Sequence, residues 1–228
     1  MLSRIRGALK RESPRDGLAA PGGPDQSYRQ AIADGPRSRA DLIAQFEAEI
    51  RLAGGHFYAA GDAGAACEYV RGLAPAGACT VVGWDSQTIR GVGLADKLGQ
   101  FGIDFIPDAG GPDSAGFISK AAEAAVGVTA VDYAVADTGT LVLLSGPGRA
   151  RAASLLPPIH VALVRPEQVI PGLESLFASL TAEGDFSSQH VSSAVTFITG
   201  PSRTADIELT LVVGVHGPQQ LHVILLAD

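Results

Sequence analysis

The chain has few of the residues from which metal and redox centres are built. It contains two cysteines, Cys67 and Cys79, which are separated by eleven residues and belong to no Cys-x-x-Cys arrangement. That spacing supports neither an iron–sulfur cluster nor a structural zinc site. The five histidines show no His-x-x-x-His pattern and no pairing with the cysteines. We therefore expect no metal site in this chain and two buried thiols that stay reduced, as in a cytoplasmic protein.

Aromatic residues and lysines are also scarce. Aromatic side chains make up 6% of the 228 residues, and only three residues are lysines. Proteins that bind nucleic acid stack bases on aromatic rings and follow the phosphates with basic stripes. The net charge is −7, and residues 40–228 carry nine basic against twenty acidic side chains. A domain this acidic argues against a nucleic-acid partner.

Long hydrophobic runs are missing as well. The N-terminus lacks the stretch of about seven or more apolar residues that a signal peptide needs. No segment of the sequence approaches the roughly 18 apolar residues that cross a membrane. These features predict a cytoplasmic protein without a membrane span.

The chain does contain enough apolar residues for one sizeable core, since hydrophobic types make up 46% of it. Residues 1–39 begin with a short amphipathic helix, in which Leu2, Ile5 and Leu9 share one face. They continue as a flexible connector rich in Pro, Gly, Asp, Arg and Ser. We expect residues 40–228 to form a single domain.

Helical and strand patterns alternate along this domain. The first helix starts at Ala40 and is ended by Gly54-Gly55. After it, the pattern predicts helices over 63–73, 94–101, 115–126 and 169–180, and strands over 57–59, 79–82, 104–106, 130–136, 141–144, 159–164, 196–199 and 221–226. Such alternation is typical of an α/β fold with a mostly parallel sheet.

One dense polar cluster stands between apolar segments near the C-terminus. Gly200-Pro201 breaks the strand predicted over 196–199, and Thr204 is placed to cap a short helix with Asp206 and Glu208 in its first turn. In parallel sheets such loops open at the carboxyl ends of strands, where the amides of a helix N-terminus can hold an anion. We therefore expect a ligand-binding loop here.

Arg203 is the most distinctive residue of this loop. Its guanidinium can grip a carboxylate or a phosphate through two nitrogens, while Ser202 and Thr204 bind other oxygens of the ligand. The alternative is that Gly-Pro only makes a turn and that Arg203 pairs with Asp206 or Glu208 on the first helical turn.

His216 follows a valine-rich segment and precedes Gly217-Pro218. An imidazole at this place can act as a general acid or base near neutral pH, or it can donate to a bound carbonyl, and Gly217 belongs to the same candidate ligand-binding loop. The alternative is a histidine that only satisfies the carbonyl groups of a turn.

A second polar loop is the run Asp137-Thr138-Gly139-Thr140. The hydroxyls of Thr138 and Thr140 and the amide of Gly139 can bind an anion, while Asp137 accepts a proton or binds a hydroxyl. The alternative is a tight hairpin turn with Gly139 in the left-handed conformation.

Nucleotide motifs are absent from the sequence. The run Gly91-Val-Gly93-Leu-Ala-Asp96 begins like a dinucleotide fingerprint, but it has Asp where Gly or Ala is required. No lysine follows a glycine, which excludes a P-loop. We expect no cofactor in this chain.

Three strings in the second half of the chain are specific when taken together. They are Thr-Gly-Pro-Ser-Arg-Thr-Ala-Asp-Ile-Glu at 199–208, Gly-Val-His-Gly-Pro at 214–218 and Ala-Asp-Thr-Gly-Thr-Leu at 136–141. They resemble the lactate-utilisation LUD-domain family, and most closely its protein C branch (LutC/YkgG). The opening Ile-Arg-Gly-Ala-Leu at 5–9 is also similar to the family's N-terminal helix.

The resemblance implies a three-layer α/β/α sandwich around a mostly parallel sheet, similar to the NagB/RpiA/CoA-transferase group. It implies a non-redox component of a bacterial system that oxidises L-lactate to pyruvate, with iron–sulfur-containing partner subunits carrying the electrons. Such a component would bind a small carboxylate, a phosphate or those subunits. The resemblance supplies no established catalytic residue, because the acids and lysines used by that fold's isomerases and CoA-transferases have no counterpart here. The alternatives are a stand-alone enzyme acting on a small anionic metabolite, such as a phosphosugar or an acyl-CoA, and a structural scaffold.

Overall fold

The computed structural model describes residues 37–75, 79–110, 114–182, 193–205 and 211–227. The described residues from Ser38 onward belong to one compact unit. The helix and connector predicted for residues 1–39 lie almost entirely outside the described residues, which begin at Arg37.

Helices and strands alternate along most of the described chain. The helices are α1 (Arg39–Leu52), α2 (Ala63–Leu73), α3 (Gln87–Val92), α4 (Leu94–Gly99), α5 (Ser114–Glu123), α6 (Ala152–Leu155) and α7 (Leu173–Ala182). The strands are β1 (His56–Ala59), β2 (Thr80–Trp84), β3 (Asp104–Asp108), β4 (Val126–Ala130), β5 (Tyr133–Val135), β6 (Thr140–Ser145), β7 (Ile159–Val164), β8 (Val169–Ile170), β9 (Ala194–Ile198), β10 (Arg203–Ala205), β11 (Leu211–Val213) and β12 (Gln220–Leu225). A single turn of 3-10 helix, Pro166–Gln168, lies between β7 and β8.

The main sheet has six strands in the order β1-β12-β7-β4-β2-β3, and every neighbouring pair is parallel. All five residues of β4 are buried, and so are five of the six residues of β7. Because successive residues of a strand point to opposite faces, this burial means that both faces of the sheet are covered. The predicted α/β fold around a mostly parallel sheet is confirmed.

Helix α1 illustrates how local sequence signals are used in this fold. Ser38 caps its N-terminus and exchanges hydrogen bonds with Asp41 in a capping box. Leu42, Phe46 and Ile50, spaced four residues apart, are buried in the main core. The chain leaves the helix through Ala53 and the glycine that follows it.

A second sheet has the order β8-β5-β6-β9. Its β5–β6 hairpin turns through Gly139, whose φ of +60° confirms the predicted left-handed glycine. Helix α7 covers this sheet with Leu176 and Leu180, which pack into a small separate core. The helix predicted from 169 was wrong in its first turn, because residues 169–170 pair with β5 as strand β8.

The single strand predicted over 130–136 is also wrong. It is divided between the main sheet, where β4 ends at Ala130, and the second sheet, where β5 begins at Tyr133. The break falls beside Asp132, whose carboxylate binds Arg149 at 2.5 Å and accepts a hydrogen bond from the amide of Leu144 at 2.7 Å. A partly buried ion pair therefore fixes the point at which the chain changes sheets.

The helix predicted over 115–126 ends earlier than expected, at Glu123, because strand β4 begins at Val126.

The C-terminal prediction of strand, loop, helix and strand needs two corrections. The strand at 196–199 exists as part of β9, but it is an antiparallel edge strand and Phe197 is 46% exposed, so it is not a buried strand. Residues 203–205 form strand β10, which pairs with β11, so Thr204 does not cap a helix. Pairing with the Leu-Val-Val segment gives the backbone groups of residues 203–205 hydrogen-bond partners, whereas a helix this short is marginal by itself. Asp206 and Glu208 lie outside the described residues.

Candidate functional site

The loop over 199–202 and the turn over 214–218, both near the C-terminus, contact each other and form one unit. The amide of Ser202 donates to the carbonyl of Pro218 at 3.0 Å, and the amide of Gly214 donates to the carbonyl of Ser202 at 2.9 Å. Gly217 lies so close that an added Cβ would stand 3.1 Å from the Cβ of Ser202. The loop over 199–202 and the turn over 214–218 therefore hold each other in place.

This unit lies at the amino edge of the main sheet. The turn leads directly into β12, and the amide of Gln219 donates to the carbonyl of Pro158, which precedes the adjacent strand β7. The loop was expected at the carboxyl end of a parallel strand, and that expectation is wrong. The preceding strand β9 belongs to the second sheet and runs antiparallel to β6.

A cavity of about 200 Å³ opens beside the paired loops. Residues 196–202 form one wall and residues 216–218 another, while α6, β7 and β12 close it with Ser154, Leu155, His160 and Leu221. The structure thus brings Gly200, Pro201, Ser202, His216 and Gly217, all candidate site residues, around one space. No lysine, arginine or acidic residue lines the described part of this cavity.

His160 is the residue of this cavity that the sequence analysis missed. It is only 1% exposed, and its Nε2 lies 2.9 Å from the hydroxyl of Thr129 on the neighbouring strand β4. Its Nδ1 is buried and has no hydrogen-bond partner among the residues that the structure describes. Burial, and then the neighbouring His222, lower the pKa of His160 to about 3. The imidazole is therefore neutral at physiological pH.

The wall behind His160 depends on a glycine. Gly127 lies opposite His160 in the β4–β7 register. A Cβ on Gly127 would collide with the carbonyl of Ala153, so only glycine lets α6 lie this close to the sheet. The close approach brings Ser154 and Leu155 of α6 to the cavity. A short helix in this position gives no periodic signal in the sequence, and it was not predicted.

Arg203 is held at a different place from the cavity. Its Nη2 donates to the carbonyl oxygen of Ala53 at 2.7 Å, at the C-terminal end of α1. It is exposed and is not among the residues that line the cavity. This contact favours a bracing role, and the anion-binding role of Arg203 and Thr204 stays a prediction.

The Asp137 loop joins the site through hydroxyl groups. Thr138 Oγ1 lies 2.9 Å from Thr140 Oγ1, which in turn lies 2.7 Å from Thr199 Oγ1. Thr199 lines the cavity, whereas residues 137–140 do not. Gly139 packs against the backbone of Glu49 in α1. The loop at 137–140 is therefore a neighbour of the loop at 199–202 without lining the cavity, and the catalytic role of Asp137 and the anion-binding role of Thr138, Gly139 and Thr140 stay predictions.

A larger cavity, of about 450 Å³, lies at the opposite edge of the main sheet. It is lined by residues that follow the carboxyl ends of β1, β7 and β12, together with residues of α3. Its charged groups are Asp62, Arg165 and Glu167. This is the edge at which parallel α/β sheets most often bind ligands.

Across the described ranges, no group of three His, Cys, Asp or Glu residues is placed to hold a metal ion. Cys67 is buried, and burial raises the pKa of its thiol, while Cys79 is half-buried rather than fully buried as expected. None of the helices in the described part of the chain is long and apolar enough to cross a membrane.

Similarity to known proteins agrees with this architecture. The chain is 40% identical over 111 residues to Lactate utilization protein C of Halalkalibacterium halodurans, which is 49% of this chain and 48% of that protein. It is 34% identical over 155 residues to Lactate utilization protein C of Shouchella clausii, which is 67% of this chain and 64% of that protein. The chain therefore spans about half the length of the first relative and less than two thirds of the second.

A solved structure of a DUF162 family protein from Deinococcus radiodurans shares the fold, with a TM-score of 0.58 and 21% identity over 84% of this chain and 100% of that one. The family model described as LUD domain matches residues 43–226. That match covers strands of both the six-stranded and the four-stranded sheet, and it includes the polar segments at 137–140, 199–202 and 214–218. The chain belongs to the LUD-domain family, as the strings at 136–141, 199–208 and 214–218 predicted.

Proposed function

We propose that this protein is a non-redox component of a cytoplasmic bacterial system that oxidises L-lactate to pyruvate, and that the 200 Å³ cavity binds a small carboxylate. The observation that carries the binding proposal is the convergence of five candidate residues and the neutral, buried His160 on that one space. The similarity to two relatives that are named Lactate utilization protein C supports the pathway.

The chemistry of the cavity suits a small ligand with one charge. Its volume is below the range of about 300–1,000 Å³ that drug-sized ligands require. Its polar groups are hydroxyls and imidazoles, set among apolar residues such as Phe197, Ile198 and Leu221. A few polar groups among apolar walls are the usual composition of a small-molecule site. Uncharged donors can hold a single carboxylate, but they would not compensate the charges of a polyphosphate.

The electrons of lactate oxidation need a redox centre, and we propose that iron–sulfur-containing subunits supply it. The sequence supports this division of labour, because the separation of Cys67 and Cys79 does not match a cluster motif. In this proposal the chain holds substrate or product, or presents it to those subunits.

Growth on L-lactate tests the role. Deletion of the gene should abolish or slow growth on L-lactate as the sole carbon source, and the wild-type gene should restore it. His216→Ala should restore it poorly, because His216 lines the cavity. His56→Ala is the matched control, since His56 is also exposed but lies on β1 outside the cavity. Normal growth of the deletion strain, with no second copy of the gene, would exclude the proposed role.

The cavity at the carboxyl edge favours a second candidate function, a stand-alone enzyme acting on a small anionic metabolite. Arg165 is the one cation among the described residues that line it. If this candidate is correct, the purified chain should convert a phosphosugar or an acyl-CoA without partners, and Arg165→Ala should lower the rate. If neither cavity binds a ligand, the chain is a scaffold.

A further inference from the structure

The two buried histidines of the main sheet, His222 and His160, differ in the number of ring nitrogens that have a hydrogen-bond partner. His222 on β12 is 4% exposed, and both of its ring nitrogens have partners: the hydroxyl of Tyr69 lies 3.0 Å from Nδ1 and the amide oxygen of Gln220 lies 3.0 Å from Nε2. His160 on the adjacent strand β7 is more deeply buried but has a partner at Nε2 only, within the described chain. The histidine away from the cavity therefore has both ring nitrogens paired, whereas the buried Nδ1 of the histidine that lines the cavity is unpaired among the described residues.

The unpaired Nδ1 of His160 is held in a defined orientation. Thr129 is fully buried on β4, and its hydroxyl fixes the His160 ring through Nε2. A buried polar atom without a partner destabilises a folded protein, and such atoms are usually satisfied by water or by a ligand. The cavity that His160 lines is where such a partner can come from.

The protonation state limits what that partner can be. The ring is neutral because burial lowers the pKa of His160 to about 3. A neutral imidazole has one N–H donor and one acceptor, and the hydroxyl of Thr129 can serve either tautomer. Nδ1 can therefore donate to a keto oxygen, or accept a hydrogen bond from a hydroxyl group. It offers no positive charge to a carboxylate.

We propose that His160, positioned by Thr129, recognises the oxygen at C2 of a 2-hydroxy or 2-oxo carboxylic acid in the cavity. This inference rests on the proposed carboxylate site and assigns its specificity. A cavity of this kind prefers pyruvate or lactate over propionate, which has the same carbon chain but no oxygen at C2. The preference arises because propionate leaves Nδ1 of His160 unpaired.

Two substitutions of His160 distinguish the role of Nε2 from the role of Nδ1. In His160→Gln, the longer amide side chain places its polar end near the position of Nε2, so it can keep the Thr129 contact while it removes the group at Nδ1. His160→Asn places its amide near the position of Nδ1 and gives up Thr129. His222→Gln is the matched control, because it changes a buried histidine on the next strand that does not line the cavity.

The test is calorimetric titration of the purified full chain with pyruvate, L-lactate and propionate. The wild type and His222→Gln should bind pyruvate or lactate roughly tenfold more tightly than propionate. His160→Gln should bind all three acids with similar affinity, and His160→Asn should keep part of the preference. The ¹⁵N shift of His160 Nδ1 should change when pyruvate or lactate is added, but not when propionate is added.

Three results would overturn the inference. Equal affinity of the wild type for propionate and for pyruvate or lactate would show that no group binds the C2 oxygen. An unchanged preference of His160→Gln for pyruvate or lactate would show that another residue binds this oxygen. In both cases the proposed carboxylate site would remain. If the wild type binds none of the three acids, the carboxylate site of the proposed function fails, and the role of His160 fails with it. Melting temperatures check that each variant is folded.

Discussion

The guanidinium of Arg203 donates a hydrogen bond to the carbonyl oxygen of Ala53, with 2.7 Å between Nη2 and the oxygen. Ala53 is the C-cap residue of α1, and the last carbonyls of a helix have no partner within the helix. A cation at this position also interacts favourably with the helix dipole. The residue that the sequence identified as an anion ligand is therefore engaged in joining the C-terminal loop to the first helix.

Arg203→Ala should lower the free energy of unfolding by about 1 kcal/mol, because it removes a charged donor from a helix C-terminus. Arg203→Lys should lower it by less, since the charge remains while the planar fork is lost. Urea unfolding measures both effects. Arg165→Ala is the control, because Arg165 is exposed and its ion pair with Glu167 is long, at 3.9 Å. If Arg203→Lys leaves stability unchanged but weakens pyruvate binding, Arg203 is an anion ligand after all.

The packing of α6 on the main sheet gives a second prediction. Gly127→Ala should lower the free energy of unfolding by about 1–3 kcal/mol or more, because its methyl group would collide with the carbonyl of Ala153. Gly72→Ala is the matched control. Gly72 lies in α2 with open space around it, so alanine should stabilise the protein by up to about 1 kcal/mol. Equal effects of the two substitutions would contradict the close approach of α6.

The buried histidines predict how stability depends on pH. Burial, first of all, lowers the pKa of His160 to about 3 and that of His222 to about 4, both below the value of about 6.5 in an unfolded chain. Between these values the unfolded chain binds more protons than the folded one. Stability is therefore unaffected by these groups above pH 6.5 and falls as the pH is lowered from 6.5 towards 4.

Urea unfolding at pH 7, 6 and 5 measures this dependence. The wild type should lose roughly 1 kcal/mol per pH unit below pH 6.5 from His160 alone. A double variant, His160→Gln with His222→Gln, should show a clearly flatter slope, because it removes both buried rings whose lowered pKa values cause the loss. Parallel slopes in the wild type and the double variant would show that the two rings are not buried in their neutral form.

Some of this structure could be predicted because the signals are local. The helix predicted from Ala40 to Gly54-Gly55 corresponds to α1, and the strand predicted over 159–164 is β7 with its bounds unchanged. Gly139 indicated the β5–β6 turn, since a left-handed residue in a two-strand hairpin favours glycine. These features depend on residues close together in the chain.

The rest depends on contacts between distant residues. Nothing near Asp132 shows that it will bind Arg149 and end one strand there, and nothing near Arg203 shows that it will bind Ala53. The spacing of the histidines gives no signal for His160 beyond the lack of a metal-binding pattern among them. Its contact with Thr129 spans thirty-one positions, and the cavity that it lines is formed by loops that follow much later in the chain. A polar residue inside a fully apolar strand was the one signal that could have identified it.

In the proposed function the small cavity, and not the larger one, binds a small carboxylate. Titration of ¹⁵N-labelled protein with L-lactate and pyruvate, followed by NMR, distinguishes the two cavities, because each amide reports its own surroundings. Binding in the small cavity should cause saturable shifts at residues 196–202 and 216–218, and His216→Ala should weaken this binding. Shifts centred on Asp62 and residues 165–167 at the carboxyl edge, or no saturable shifts at all, would contradict it.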